Sequence, residues 1–202
     1  PMLVAAAMTP DVMGMYPKKA DAEWLKTLYE GLEDRLLLDP DELEDYMSEL
    51  FYSDLKVAAM VDEWIEEAPE EAITKRMGIG PGDIRSRMDM MDWIVYAMGE
   101  IAYIFNPPAI RRIRPLSVRI RYGVKEELSD LVSLKGVGRT RARILFDRGY
   151  RDRDSISSAD EHELASIPGI GPALASSMKR QTGTRAPEAH WTPPSEEEEL
   201  ID

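Results

Sequence analysis

Two short glycine patterns hold the residues best suited to chemistry. Gly136-Val137-Gly138 is followed by Ala142, and Gly169-Ile170-Gly171 by Ala175, every position displaced by 33 residues. That is an internal repeat. A two-glycine turn ahead of a helix presents backbone N–H groups to an anion and holds a phosphate without reading sequence. The alanine lets the flanking helices approach closely. Arg139, Arg141 and Arg143 follow the first turn. Residues four apart share a helix face and residues two apart do not. Arg139 and Arg143 are therefore expected to hold phosphate, with Arg141 solvated or turned toward the rest of the protein. After the second turn Pro172 and Ala173 stand in place of arginines, so a structural role is expected there, with Gly169 and Gly171 as secondary DNA contacts.

A third candidate is Trp93. Between Pro81 and Phe105, Ile84, Met88, Met91, Val95, Met98, Ala102 and Phe105 recur at alternating spacings of four and three. They form one stripe along a helix. Trp93 projects from the opposite side, near Ser86 and Ala97, with Arg85 and Arg87 toward the helix start. A flat aromatic between small neighbours, with arginines a turn or two away, suits a stacked base and a held phosphate. Periodicity alone favours the plainer reading, a central helix buried on both faces with Trp93 in the core, since Met90, Ile101 and Ile104 also leave the stripe.

Residues 109–122 interleave five arginines, Arg111, Arg112 and Arg119 among them, with Ile113, Leu116, Val118, Ile120 and Tyr122. A helix broken at Pro115 would turn the guanidiniums outward, toward DNA phosphates or toward acids of the preceding segment. Net charge supports both. The chain totals −13, distributed as −14 over residues 1–104, +8 over 105–153 and −7 beyond. A basic segment inside an acidic chain steers a polyanion locally.

Other chemistries are excluded. There is no cysteine and there are two histidines, His162 and His190, so thiolate chemistry and a histidine metal cluster are not expected. No acid pair is spaced for acid–base work, and no catalytic or metal-binding residue is assigned. No run reaches the ~20 apolar residues of a membrane span. No Gly-x-x-x-x-Gly-Lys-Ser/Thr loop occurs, so the chain alone is expected to hydrolyse no ATP.

The elements that must position these residues are helical throughout. Residues 1–16 read as an exit strand and linker completing a domain that lies upstream, and the start at Pro1 suggests a fragment. Ala20–Leu37 is expected to be a helix. Asp39-Pro40-Asp41-Glu42 signals the start of another, carrying Leu43, Tyr46, Met47 and Leu50. Ser53 is expected to cap a separate helix running to Ala68. Pro69 opens a short one closed by Gly78, and the long helix follows. The predicted organisation is an all-α bundle over 17–108, a basic connecting helix over 109–127, a helix-hairpin-helix domain over 128–183 and an acidic disordered tail over 184–202, where Trp191 is a conceivable docking anchor.

This combination resembles the C-terminal part of the archaeal Ski-two-like superfamily 2 DNA helicases, the Hel-three-oh-eight family. The residues that carry the resemblance are Trp64-Ile65-Glu66-Glu67, Gly78 to Arg85, Trp93, Tyr122 to Leu128 and Gly136 to Arg143. It implies that a winged-helix domain lies upstream and that Pro81–Phe105 is the ratchet helix, along which a single strand is drawn. It also implies that Trp93 stacks on a base. The family's arginine lies about two turns earlier. Here Ser86 holds that position, so the role is placed on Arg85, beside Arg87. The implied parent is an ATP-dependent 3′-to-5′ helicase acting at forks in repair and replication restart. Its ATP and Mg belong to motor domains outside this chain. Its partners are single-stranded or forked DNA, those motor domains and a replication protein at the tail, and its location is cytoplasmic. A stand-alone, non-catalytic helix-hairpin-helix module and a protein-interaction adaptor are the alternative classes.

Overall fold

The computed structural model describes residues 1–36 and 38–183, and every regular element among them is helical. One apolar core is built by α1 (Met2–Ala7), α2 (Ala22–Glu30), α3 (Asp45–Ile65), α4 (Glu70–Met77), α5 (Pro81–Phe105) and α6 (Ile110–Tyr122). A second is built by α7 (Ser129–Val132), α8 (Arg139–Asp147), α9 (Arg153–Ser158), α10 (Glu161–Ala165) and α11 (Pro172–Thr182). The all-helical bundle followed by a helix-hairpin-helix domain is thus the observed fold. No helix among the described residues is long and apolar enough to cross a membrane. The expected tail, 184–202 with Trp191, lies outside the described residues.

The long helix has the bounds its sequence predicts. It starts behind Gly80, whose N–H donates to the Asp83 carboxylate at 3.0 Å. It stops at Asn106, ahead of two prolines that cannot extend the ladder. Ile84, Met88, Met91, Val95 and Ala102 are buried in the bundle core. At its far end the stripe fails: Phe105 is 79% exposed, and Ile101, Tyr103 and Ile104 are also exposed.

Several expectations are corrected by packing. Residues 1–16 are not an exit strand. Met2–Ala7 is a helix, and its small side chains let Val4, Ala6 and Ala7 enter the bundle core together with Val12 and Met15. The helix expected over 20–37 ends at Glu30, and Glu33–Arg35 adds only a 3₁₀ turn. Asp39-Pro40 likewise starts a 3₁₀ turn, with the Asp39 carboxylate accepting from the Asp41 N–H. Ser53 caps nothing. It sits buried in the middle of a 21-residue α3, where the Gly14 backbone crosses it and the Met15 N–H donates to its carbonyl at 3.2 Å. A serine is small enough to pass beneath that crossing.

The basic segment joins the two cores, with Val118 and Tyr122 packed against the second, but it is also built into the first. α6 runs unbroken through Pro115 and lies along α5, adding Ile113, Leu116 and Ile120 to the bundle core. Burial of that face outweighs the hydrogen bond that the proline cannot donate. Asp92 of α5, itself buried, accepts from the Ser117 hydroxyl and from the Arg121 guanidinium at 2.9 Å, which fixes the two helices in register. α3 and the chain before α2 are tied by a buried pair, Lys56 with Asp21 at 2.6 Å.

Candidate nucleic-acid interface

The outer face of α5 carries Trp93. Its indole is 40% exposed, so the expectation of a core tryptophan drawn from periodicity does not hold. The indole borders an open cleft of about 690 Å³ that Asp11, Gly82, Arg85, Ser86 and Asp89 also line. Arg85 is therefore on the Trp93 side, as its projection predicts. Arg87 is not. Its guanidinium is largely covered and donates to the Met13, Gly14 and Asp83 carbonyls, which binds the 9–16 segment to the helix. A flat apolar surface and a cation beside one cleft suit a stacked base and its phosphate.

The arginines behind the first glycine turn have another use. Arg139 lies over the Trp64 ring, 5.2 Å from its centroid, and donates to the Ala68 carbonyl at 2.8 Å. Arg143 donates to Glu67 at 2.6 and 2.9 Å and to Glu127 at 2.9 Å. Both bind the hairpin domain to the turn between α3 and α4, so the guanidiniums expected to hold phosphate are engaged within the chain. Arg119, a secondary candidate, joins the same acidic turn through Glu66 at 2.6 Å. Sequence reasoning missed the acceptor, Glu67. It is the one described non-glycine residue with a left-handed backbone, φ 65°. Its signal was present: two consecutive acids between an apolar helix end and Pro69. Burial pushes the Glu67 carboxyl up, but Arg143, the Lys125 N–H and Arg139 outweigh it and hold the group below the ordinary glutamate range. Pairing with Glu67 raises the Arg143 pKa against the effect of burial.

Trp64 completes this junction by donating from Nε1 to the Ile120 carbonyl at 2.8 Å. Gly123 has φ 63°, and a Cβ there would meet the indole at 2.5 to 2.9 Å. Only glycine lets the chain turn so close to the ring.

The two hairpins repeat each other bond for bond. Val137 and Ile170 are buried, and their N–H groups donate to the Leu134 and Ile167 carbonyls at 3.0 and 2.9 Å. Gly136 and Gly169 take φ 84° and 81°, and Ala142 and Ala175 are fully buried. Gly138 and Gly171 differ from these. Their backbones are extended, and a Cβ on either would meet nothing within 4 Å. The fold does not require glycine there, whereas close approach of an external group to the backbone would. Arg141 is neither solvated nor bundle-facing. It donates to the Gly136 and Gly169 carbonyls, both at 2.9 Å, and so bolts one turn to the other. Arg111 and Arg112, the remaining candidates, are exposed on α6 and make no ion pair or hydrogen bond among the described residues.

Comparison with known proteins agrees with this division. Residues 1–123 match the family described as archaeal helicase, domain 4, and residues 128–183 match a SAM-like helix-hairpin-helix tandem. A protein of Methanocella arvoryzae described as ATP-dependent DNA helicase Hel308 is 42% identical over 193 residues, 95% of this chain and 26% of that protein. Proteins of the same description from Pyrococcus abyssi and Pyrobaculum calidifontis are 32% and 35% identical. These matches cover 88% and 89% of this chain, and 25% and 24% of the relatives. The chain thus spans about a quarter of the length of the curated relatives it matches.

Proposed function

The chain belongs to the archaeal helicase domain 4 family, is homologous over most of its length to the C-terminal part of Hel308 helicases, and on that premise we propose that it grips single-stranded DNA for a helicase motor. The observation that carries this reading is the exposed Trp93, beside Arg85 and an open cleft, on a helix whose opposite face is core. A base stacks on the indole while Arg85 meets the backbone, and the two open glycine turns hold further phosphates without reading sequence. In the intact enzyme, motor domains outside this chain bind ATP and Mg and drive 3′-to-5′ unwinding at forks, in the cytoplasm. This chain supplies grip and direction.

The test is equilibrium binding of the purified chain to single-stranded DNA. Trp93→Ala is expected to weaken binding by about 1–3 kcal/mol while leaving the melting temperature close to that of the parent. Unchanged affinity would remove the stacking role. A collapsed melting temperature would return Trp93 to a structural one.

A further inference from the structure

The cleft beside Trp93 does not exhaust the outer face of α5. At ~1.5 Å per residue, Tyr103 lies about 15 Å beyond Trp93, and at roughly 100° per residue it projects about 80° away. It therefore remains on the solvent half, where it is 65% exposed. Ala97, small, and Glu100, exposed, lie between the two. At this point α6 contributes a cation. Arg114 lines a crevice with Tyr96 and Glu100, both of which project to the Trp93 side of α5. On the same helix Arg119 and Arg121 are paired with Glu66 and Asp92. Arg114 is exposed and makes no ion pair or hydrogen bond among the described residues, in a chain whose net charge is −13.

Resting on the reading of α5 as a strand-gripping helix, we propose that the strand's path continues past Trp93 along α5, with Arg114 holding a phosphate and Tyr103 stacking a base. The occupant is a single-stranded nucleic acid because exposed aromatic faces here alternate with an unpaired guanidinium, the combination that binds a stacked, polyanionic strand. The surface is also continuous with the Trp93 cleft. Glu100 lies beside Arg114 and repels the same phosphate, so it lowers affinity at this step of the path.

The experiment measures binding of the purified chain to oligothymidylates of about four and about twelve nucleotides, with circular dichroism confirming that each variant is folded. Trp93→Ala is expected to weaken both. Tyr103→Ala and Arg114→Ala are expected to weaken only the longer, each by about five-fold or more. Arg114→Ala should also lower the slope of log K against log salt by about 0.7. Glu100→Gln should tighten the longer oligonucleotide, and Lys75→Ala, which removes an exposed cation of α4, should change neither. If Arg114→Ala and Tyr103→Ala keep parental affinity for both oligonucleotides while Trp93→Ala still loses affinity, the continued path is overturned and the grip at Trp93 stands. Parental affinity in Trp93→Ala would remove the grip, and with it the path extended from it.

Discussion

The two glycine turns share a backbone and differ in surroundings. Gly136-Val137-Gly138 is followed by three arginines, and Gly169-Ile170-Gly171 by none, which in the sequence makes the first look like the DNA contact. In the structure those arginines are already engaged. Arg139 and Arg143 bind the α3–α4 turn, and Arg141 binds both hairpins to each other. The turns themselves are equally open at Gly138 and Gly171. A repeated motif therefore fixes the backbone that offers N–H groups, while the neighbours decide what the adjacent charges do. Cation count beside a motif is a poor guide to which copy meets a ligand when an acidic domain lies within reach.

The sharpest way to break this asymmetry is at the junction only the first hairpin touches. Gly123→Ala combines a left-handed backbone with a Cβ driven into the Trp64 ring. We expect a loss of about 3 kcal/mol or more in denaturant unfolding, with the hairpin domain undocked from the bundle. Arg141→Ala comes next. It leaves both turns intact but removes two charged hydrogen bonds, one within the first hairpin and one from it to Gly169 of the second, so about 2 kcal/mol should be lost. If the hairpins are held mainly by apolar packing, urea titration will show almost no change.

The smallest effect belongs to Glu67→Gln, which touches the first hairpin alone. About 1 kcal/mol is expected at neutral pH. The Glu67 carboxyl is held below its ordinary range in the folded protein. Its contribution is therefore present above the usual glutamate pKa and is lost as pH falls through the lowered folded value. Parent and variant melting temperatures should converge in acid. A difference that persists unchanged at acid pH would show that the ionised carboxylate is not what binds Arg143.

Much of this fold was legible because periodicity and punctuation agree. α5 has clear start and stop signals and a stripe that meets the core from Ile84 to Ala102 before failing at Phe105, and the 33-residue repeat gave both hairpins, down to Ala142 and Ala175. What was not legible depended on partners distant in sequence. Ser53 reads as a cap until Gly14 is seen to cross it. Pro115 reads as a break until α6 is seen to bury one side along α5. Trp93 could not be assigned from α5 alone, since one helix does not say which of its faces a neighbour covers. The partners of the arginines were hidden for the same reason: a guanidinium suits phosphate and carboxylate equally, and the acceptors at Glu67 and Ala68 lie far from Arg143 and Arg139 in sequence.

Trp93 is bonded in sequence to Asp92, and Asp92 is held by Ser117 and Arg121 of α6. A sideways pull on the indole therefore meets a bolted joint rather than a free rod. The torque that would roll α5 about its own axis passes to the neighbouring helix, and from α6 to Trp64 through the Ile120 carbonyl. Stiffness at this tryptophan is therefore set by two linked helices, and a load on the indole would have to move both.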